Sequence, residues 1–351
     1  MKKWKWIADA LRALDLQSSG KWFLLSTAIG IVAGIGAITF QIASETVMNF
    51  TLERVAGYAP PKPIGEHAFY PHARMDVSPW ALLAIISAGG LVSGIIVYTF
   101  APEAEGHGTD AAIEAFHQKR GFIRPRIPLI KLITSAITIG TGGSGGREGP
   151  IAQIGAGFGS LLATRLNLSA RDRRLMLAAG MGAGVGAIFR APLAGALFAA
   201  ARLYRDAGLE AGALVPSAIS SIVGFTVFSL FLPSEKQFSP LFGNNLHYSI
   251  QSTLELLPLT LLAGVLVLAG ILYMKMFYGT HKIFKKIPIV RHVKPMIGAA
   301  LAGLCGLGLY AATDYNPRAL AVLSTGYGML QASLENASSL GVPLLLSVAL
   351  M

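Results

Sequence analysis

Five stretches of this chain are apolar for long enough to cross a bilayer. They are Trp22–Ile42, Trp80–Ala101, Ala211–Pro233, Leu256–Tyr278 and Met296–Ala312. A helix rises 1.5 Å per residue, so about 20 apolar residues traverse the hydrocarbon core, and little other than a helix can do so with a single segment. Composition agrees: 53% of residues are hydrophobic, 13% are charged and 40 are glycine, against roughly 25% charged and roughly 7% glycine in soluble domains. A soluble enzyme, a disordered chain and a disulfide-built secreted domain are excluded. The single cysteine, Cys305, allows no intrachain disulfide and reads as a packing residue in an apolar run.

Between Pro128 and Leu203 the pattern changes. The segment is apolar but cut into short pieces: Pro128–Ile139, Ile151–Leu162, Leu175–Phe189 and Leu193–Leu203. Each is too short for a straight span. Set among full spans, they predict broken or re-entrant helices, whose irregular backbone survives at membrane depth only where protein or water satisfies it. Such interrupted segments are the best sequence pointer to a midplane binding site. The expected fold is an all-α polytopic membrane protein.

Lys and Arg are concentrated in four places. Lys2, Lys3, Lys5, Arg12 and Lys21 lie at the N-terminus. Lys119, Arg120, Arg124 and Arg126 form one loop and Arg171–Arg174 a second. Lys275–Lys294 contains no acid. The loops Glu45–Asp76 and Ser234–Glu255 are near charge balance. The positive-inside bias then puts the N-terminus in the cytoplasm of a multi-pass cell-membrane protein surrounded by lipid. The net charge of +11 is a topology signal, and no basic and aromatic array for nucleic acid is present. Residues 1–20 have apolar positions at helical spacing (Trp4, Ile7, Ala8, Leu11, Leu14) and read as an interfacial helix. Residues 21–232 form a first transmembrane repeat, and residues 255–351 begin a second.

A faint internal echo supports two repeats. Gly106-His107-Gly108 and Pro128-Leu129-Ile130 have counterparts in Gly326-Tyr327-Gly328 and Pro343-Leu344-Leu345. Repeated halves with broken helices build many transporters. The counterpart of Gly140–Pro150 would fall just past Met351, so the sequence reads as a partial chain.

The sharpest motif is Gly140-Thr141-Gly142-Gly143-Ser144-Gly145-Gly146-Arg147-Glu148-Gly149-Pro150. Proline suits the first turn of a helix, so Glu148 and Gly149 fall at a helix start. Free amides and the helix dipole there favour an anion. A carboxylate at that point occupies the anion site itself, and protonation or swinging away vacates it. One side chain is thus a gate. A structural Arg147–Glu148 ion pair is compatible with this. A bland glycine hinge and a dinucleotide loop are the competitors. Gly140-x-Gly142-x-x-Gly145 fits the dinucleotide pattern, but that fingerprint needs a preceding strand and an acid about 20 residues on. Here apolar helices flank the loop, and the nearest acid at such a distance is Asp172, 27 residues past Gly145.

Gly146-Arg147-Glu148-Gly149-Pro150 resembles the GREGP signature of the CLC chloride channel and transporter family. Ile151-Ala152-Gln153-Ile154-Gly155-Ala156, Ala178-Ala179-Gly180 and Phe189-Arg190-Ala191-Pro192-Leu193-Ala194-Gly195-Ala196-Leu197-Phe198 resemble it in order and spacing. The resemblance implies a homodimer with one anion pore per subunit, built from two inverted halves. It needs no cofactor, chloride being the transported ion. Glu148 would be the gate; Gly146, Arg147 and Gly149, with Gly106, His107 and Gly108, would bind chloride.

Departures from the family pattern matter. His107 stands where the family has serine, and its imidazole N–H can still donate to an anion; a histidine satisfied by a backbone carbonyl is the alternative. Asp110 replaces a proline and could cap Ala111–His117. Exchangers of the family carry a glutamate pair where this chain has Ala201 and Arg202. That favours a passive, voltage-gated type of chloride channel. Proton-coupled chloride exchange, with protons entering by Asp206 or Glu210, is the alternative. An intramembrane nucleotide-binding enzyme is a distant third, lacking a nucleophile–base pair. His67, His72, Glu66 and Asp76 match no strong metal-ligand spacing. Arg190, an intramembrane cation, either draws anions inward or pairs with a helix end.

Overall fold

The computed structural model describes residues 18–71, 76–203, 207–243, 252–341, 344 and 348. Most of the predicted interfacial helix lies outside the described residues, as do His72, Asp206, Pro343, Leu345 and the side chain of Glu210. Every regular element among the described residues is helical. In chain order these are α1 (Ser18–Met48), α2 (Pro79–Phe100), α3 (Gly108–Gln118), α4 (Arg126–Gly140), α5 (Glu148–Arg165) and α6 (Ala170–Ile188). α7 (Pro192–Leu203), α8 (Ala207–Phe231), α9 (Leu256–Lys286), α10 (Lys294–Ala312) and α11 (Tyr327–Leu340) complete the set.

Five of these helices, taken with their flanking turns, are long and apolar enough to cross a membrane. They coincide with the five predicted runs. Two run further than expected. The first continues past Ile42 and through a π-helical turn, Asn49–Val55. Glu45, expected at the start of a loop, therefore sits buried on α1 and pairs with Lys62 at 2.9 Å. α9 reaches Lys286, and none of its residues is buried within the described chain.

The short pieces are helices of 15, 18, 19 and 12 residues. α4 and α7 are about 22 and 18 Å long, well short of a bilayer core. α6 is longer than predicted, about 28 Å, because Ser169 caps it by accepting from the Asp172 N–H at 3.1 Å and Arg171–Arg174 form its first turns. Cys305 is exposed on α10 rather than packed.

Small residues let these helices approach closely, as expected where lipid supplies no hydrophobic drive between them. Gly155 on α5 meets Gly180 on α6 so tightly that a Cβ on either would strike the other's carbonyl. Ser220 and Ser221 on α8 donate to the α6 carbonyls of Ala179 and Gly182 at 2.8 and 3.1 Å. Gly180→Ala is expected to cost about 1–3 kcal/mol through overpacking. A lowered unfolding midpoint in detergent would register it; an unchanged midpoint would mean the two backbones can part freely.

Three of the basic segments meet among the described residues. Lys21 Nζ pairs with Asp172 at 3.1 Å, and Arg173 Nε donates to the Arg120 carbonyl at 3.0 Å. Elsewhere Lys236 Nζ donates to the carbonyls of Ile64 and Glu66, and the Gly65 N–H to Leu241. The contacts thus link basic segments with one another and the two charge-balanced loops with one another.

Candidate anion pathway

Two helix N-termini converge at the centre. α3 begins at Gly108 with His107 as its N-cap, and α5 begins at Glu148 with Arg147 as its N-cap. A Cβ on Gly108 would strike the carbonyl of Gly149. Only glycine permits this approach, which brings two positively polarised helix ends to one point. The structure thus joins Gly106–Gly108 to Gly146–Gly149, segments about 40 residues apart that had been grouped only by resemblance. His107 is exposed, stacks edge-on against Phe277 with centroids 4.9 Å apart, and lies beside Gly149. Asp110 falls inside the first turn of α3 rather than ahead of it, and its carboxylate accepts from the Tyr278 hydroxyl at 3.3 Å.

Glu148 is exposed, and its carboxylate folds back over Gly146. Gly146 in turn lines a cleft of about 540 Å³ with Ser144, Gly145, Thr325 and Ser333. Ala321, Val322, Met329 and Leu330 form the apolar part of the cleft wall, so Glu148 folds toward a residue that borders a mixed polar and apolar opening. The expected Arg147–Glu148 pair does not form. Arg147 instead makes a bidentate bond to Glu66, at 2.7 and 3.0 Å, with both partners buried. Its guanidinium is thereby committed to Glu66, and its backbone alone is left beside Glu148. The Tyr327 hydroxyl donates to Glu148 Oε1 at 2.9 Å and accepts from the Arg147 backbone N–H at 3.3 Å.

The glycine loop itself is held in register by a second segment. The Ser324 N–H donates to the Gly142 carbonyl at 3.2 Å, and the Gly145 N–H to the Ser324 carbonyl at 3.1 Å. A helix, α4, precedes this loop, so the strand required by the dinucleotide reading is missing from that position.

Below the glycine contact, Lys131 is buried on α4. Its ammonium donates to the carbonyls of Ala104 and Gly106, at 2.9 and 2.8 Å, and so fixes the loop that carries His107. This loop opens on a cavity of about 560 Å³ whose walls include Glu103, Glu105, Asp110 and Glu114. Arg190 is engaged by the 236–239 segment. It donates to Ser239 Oγ at 3.1 Å and to the carbonyls of Lys236 and Ser239, tying the α6–α7 corner to the outer loop. No group of His, Cys, Asp and Glu suited to a metal occurs among the described residues.

Three participants were not read from the sequence. Lys131 carried a signal, a lone cation in an apolar run, which in a membrane segment is a functional pointer. Tyr327 was visible only as the centre of an echoed glycine triplet. Glu66 gave no local signal, since its partner lies 81 residues away.

The family model described as Voltage gated chloride channel matches residues 89–351. The chain belongs to that family. Among curated proteins it is similar to the H(+)/Cl(-) exchange transporter ClcA of Salmonella arizonae, 31% identical over 211 residues. That match covers 59% of this chain and 42% of the relative. The ClcA of Salmonella schwarzengrund is 30% identical over 210 residues, covering 58% and 41%. The matched segment is thus less than half of either relative's length. Among solved structures, a slow cyanobacterial Cl-/H+ antiporter superposes with a TM-score of 0.73 at 18% identity, covering 94% of this chain and 72% of that one. A CLC-type fluoride/proton antiporter gives 0.70 at 18% identity, covering 93% and 74%. These likenesses establish the all-α polytopic fold of the family, with its short broken helices.

Proposed function

We propose that this chain moves chloride across the membrane in exchange for protons, along a pathway that Glu148 opens and closes. The observation that carries the reading is the position of Glu148: an exposed, titratable carboxylate at the N-terminus of α5, beside the N-terminus of α3. An anion and this carboxylate compete for the same polarised amides, so protonating Glu148 admits the anion and carries a proton with the same side chain. Permeation asks only for weak, successive anion sites, so neither a cofactor nor covalent chemistry is required. Gly146 and Gly149 with the Arg147 backbone supply the outer site; Gly106, His107 and Gly108 supply the inner one.

The names of the curated relatives favour coupled exchange over the passive channel that Ala201 and Arg202 suggested. Arg202 is exposed and stacks on Phe198, 5.6 Å from its ring centroid. Inner protons would instead be loaded from the carboxylate-walled cavity beside His107. The charge bias supports a cytoplasmic N-terminus in the cell membrane. The bare apolar surface of α9 suits lipid or the second subunit of a homodimer.

The deciding measurement is the reversal potential of the chain in liposomes under a pH gradient. Exchange requires it to move with the gradient. A reversal pinned to the chloride equilibrium potential at every gradient would restore the passive channel.

A further inference from the structure

The exchange reading assigns no role to the second glycine-flanked triplet, Gly326-Tyr327-Gly328, yet its tyrosine makes the described hydrogen bond to the gate. We propose that Tyr327 is the latch of the gate: its phenol holds the ionised Glu148 in the folded-back position and so sets the proton concentration at which the pathway opens. This deepens the proposed exchange function and rests on it for its transport readout.

The geometry around the phenol is built rather than incidental. Gly326, with φ of 69°, caps α11 and turns the chain so that Tyr327 leads the helix. The ring is buried. Phe189 and Phe242 meet it edge-on, at 6.1 and 5.7 Å, and the Arg147 guanidinium lies 4.8 Å from its centroid. Arg147 is itself clamped by Glu66, so the ring is gripped on several sides. The phenol oxygen accepts from the Arg147 N–H, and its proton points at Glu148 Oε1.

That polarity gives the latch its direction. A hydrogen bond donated to a carboxylate is roughly twice as strong as one between neutral groups. The phenol therefore favours the ionised gate over the protonated one. The other charged or titratable groups around the gate are Arg147 on its own helix, Glu66 and Arg190 on the outer side, and His107 from α3. Removing the phenol oxygen leaves their side chains in place but also frees the Arg147 backbone N–H, so the bond to Glu148 is isolated by repeating the substitution where Glu148 is neutral.

Tyr327→Phe keeps the ring and its edge contacts and deletes only the hydroxyl. In chloride efflux from liposomes, the external-pH midpoint of activation is expected to rise by about one unit, equivalent to a tenfold change in proton affinity. In a Glu148→Gln background the same substitution is expected to have little effect, because the two residues act as a unit. A midpoint that is unchanged or lowered overturns the latch, as does an undiminished effect in the Glu148→Gln background. A flux-independent arm separates this from failure of the transport reading. The infrared carboxyl band that Glu148→Gln abolishes is titrated in the full wild-type chain and in Tyr327→Phe. A titration moved toward higher pH by about one unit supports the latch even where no flux is found; coincident titrations refute it.

Discussion

Chloride flux through Glu148→Gln is expected to be open at every external pH and to have lost its coupling to protons. Glutamine has nearly the same shape and can still accept from the Tyr327 hydroxyl, but it carries no charge. An incoming anion then meets no competitor for the polarised ends of α3 and α5. In the wild-type chain the protonated fraction of a carboxylate falls about tenfold per pH unit above its midpoint. The ratio of variant to wild-type flux should therefore grow about tenfold per unit on the alkaline side, wherever opening limits the rate. Proton uptake driven by a chloride gradient should vanish together with the pH dependence, because one side chain is asked to do both. Efflux and a pH electrode on the same liposomes read both quantities. Loss of flux in a folded variant, or a pH profile that survives intact, would remove Glu148 from the gate. The geometry makes the test sharp, because Glu148 belongs to no ion pair among the described residues; its bond is to a neutral phenol.

Much of this arrangement is legible in the sequence, and the limits of that legibility are physical. Span length follows from bilayer thickness, so Trp80–Ala101 and Met296–Ala312 predict helices that begin and end within two residues of α2 and α10. Pro150 and the glycines before it place a helix start at Glu148, and the helix does begin there. Helix ends that depend on polar residues are less visible: α6 reaches back to Ala170 through a serine cap and a run of arginines that an apolar pattern ignores. Long-range pairing is not visible at all. The gate motif invites an Arg147–Glu148 bond because the residues are adjacent, but neighbours at the start of a helix point apart. The arginine finds Glu66, from a loop whose acids and histidines matched no ligand spacing and so pointed to no partner. Arg190 behaves likewise, since its carbonyl partners at Lys236 and Ser239 carry no side-chain signature.

The Arg147–Glu66 pair is where the second large effect is expected. Its side chains are each 6% exposed, and the two bonds are bidentate. A buried pair of this kind adds little net stability over an apolar substitute, but removing one partner strands the other charge and costs about 3–5 kcal/mol. Glu66→Ala is therefore expected to lower the unfolding midpoint of the protein in detergent markedly. Glu66→Leu combined with Arg147→Met should recover much of the loss, because no charge is left without a partner. The functional consequence follows from the same geometry. Deprived of Glu66, the Arg147 guanidinium is a released cation 4.8 Å from the ring whose hydroxyl bonds Glu148, and an ion pair with Glu148 would hold the gate shut. Flux through the Glu66→Ala protein that remains folded should fall, and adding Glu148→Gln should bring it back, because the neutral amide offers the stranded arginine no counter-charge. If flux stays low in that double variant, Glu66 supports the shape of the outer mouth rather than guarding the gate from its own neighbour.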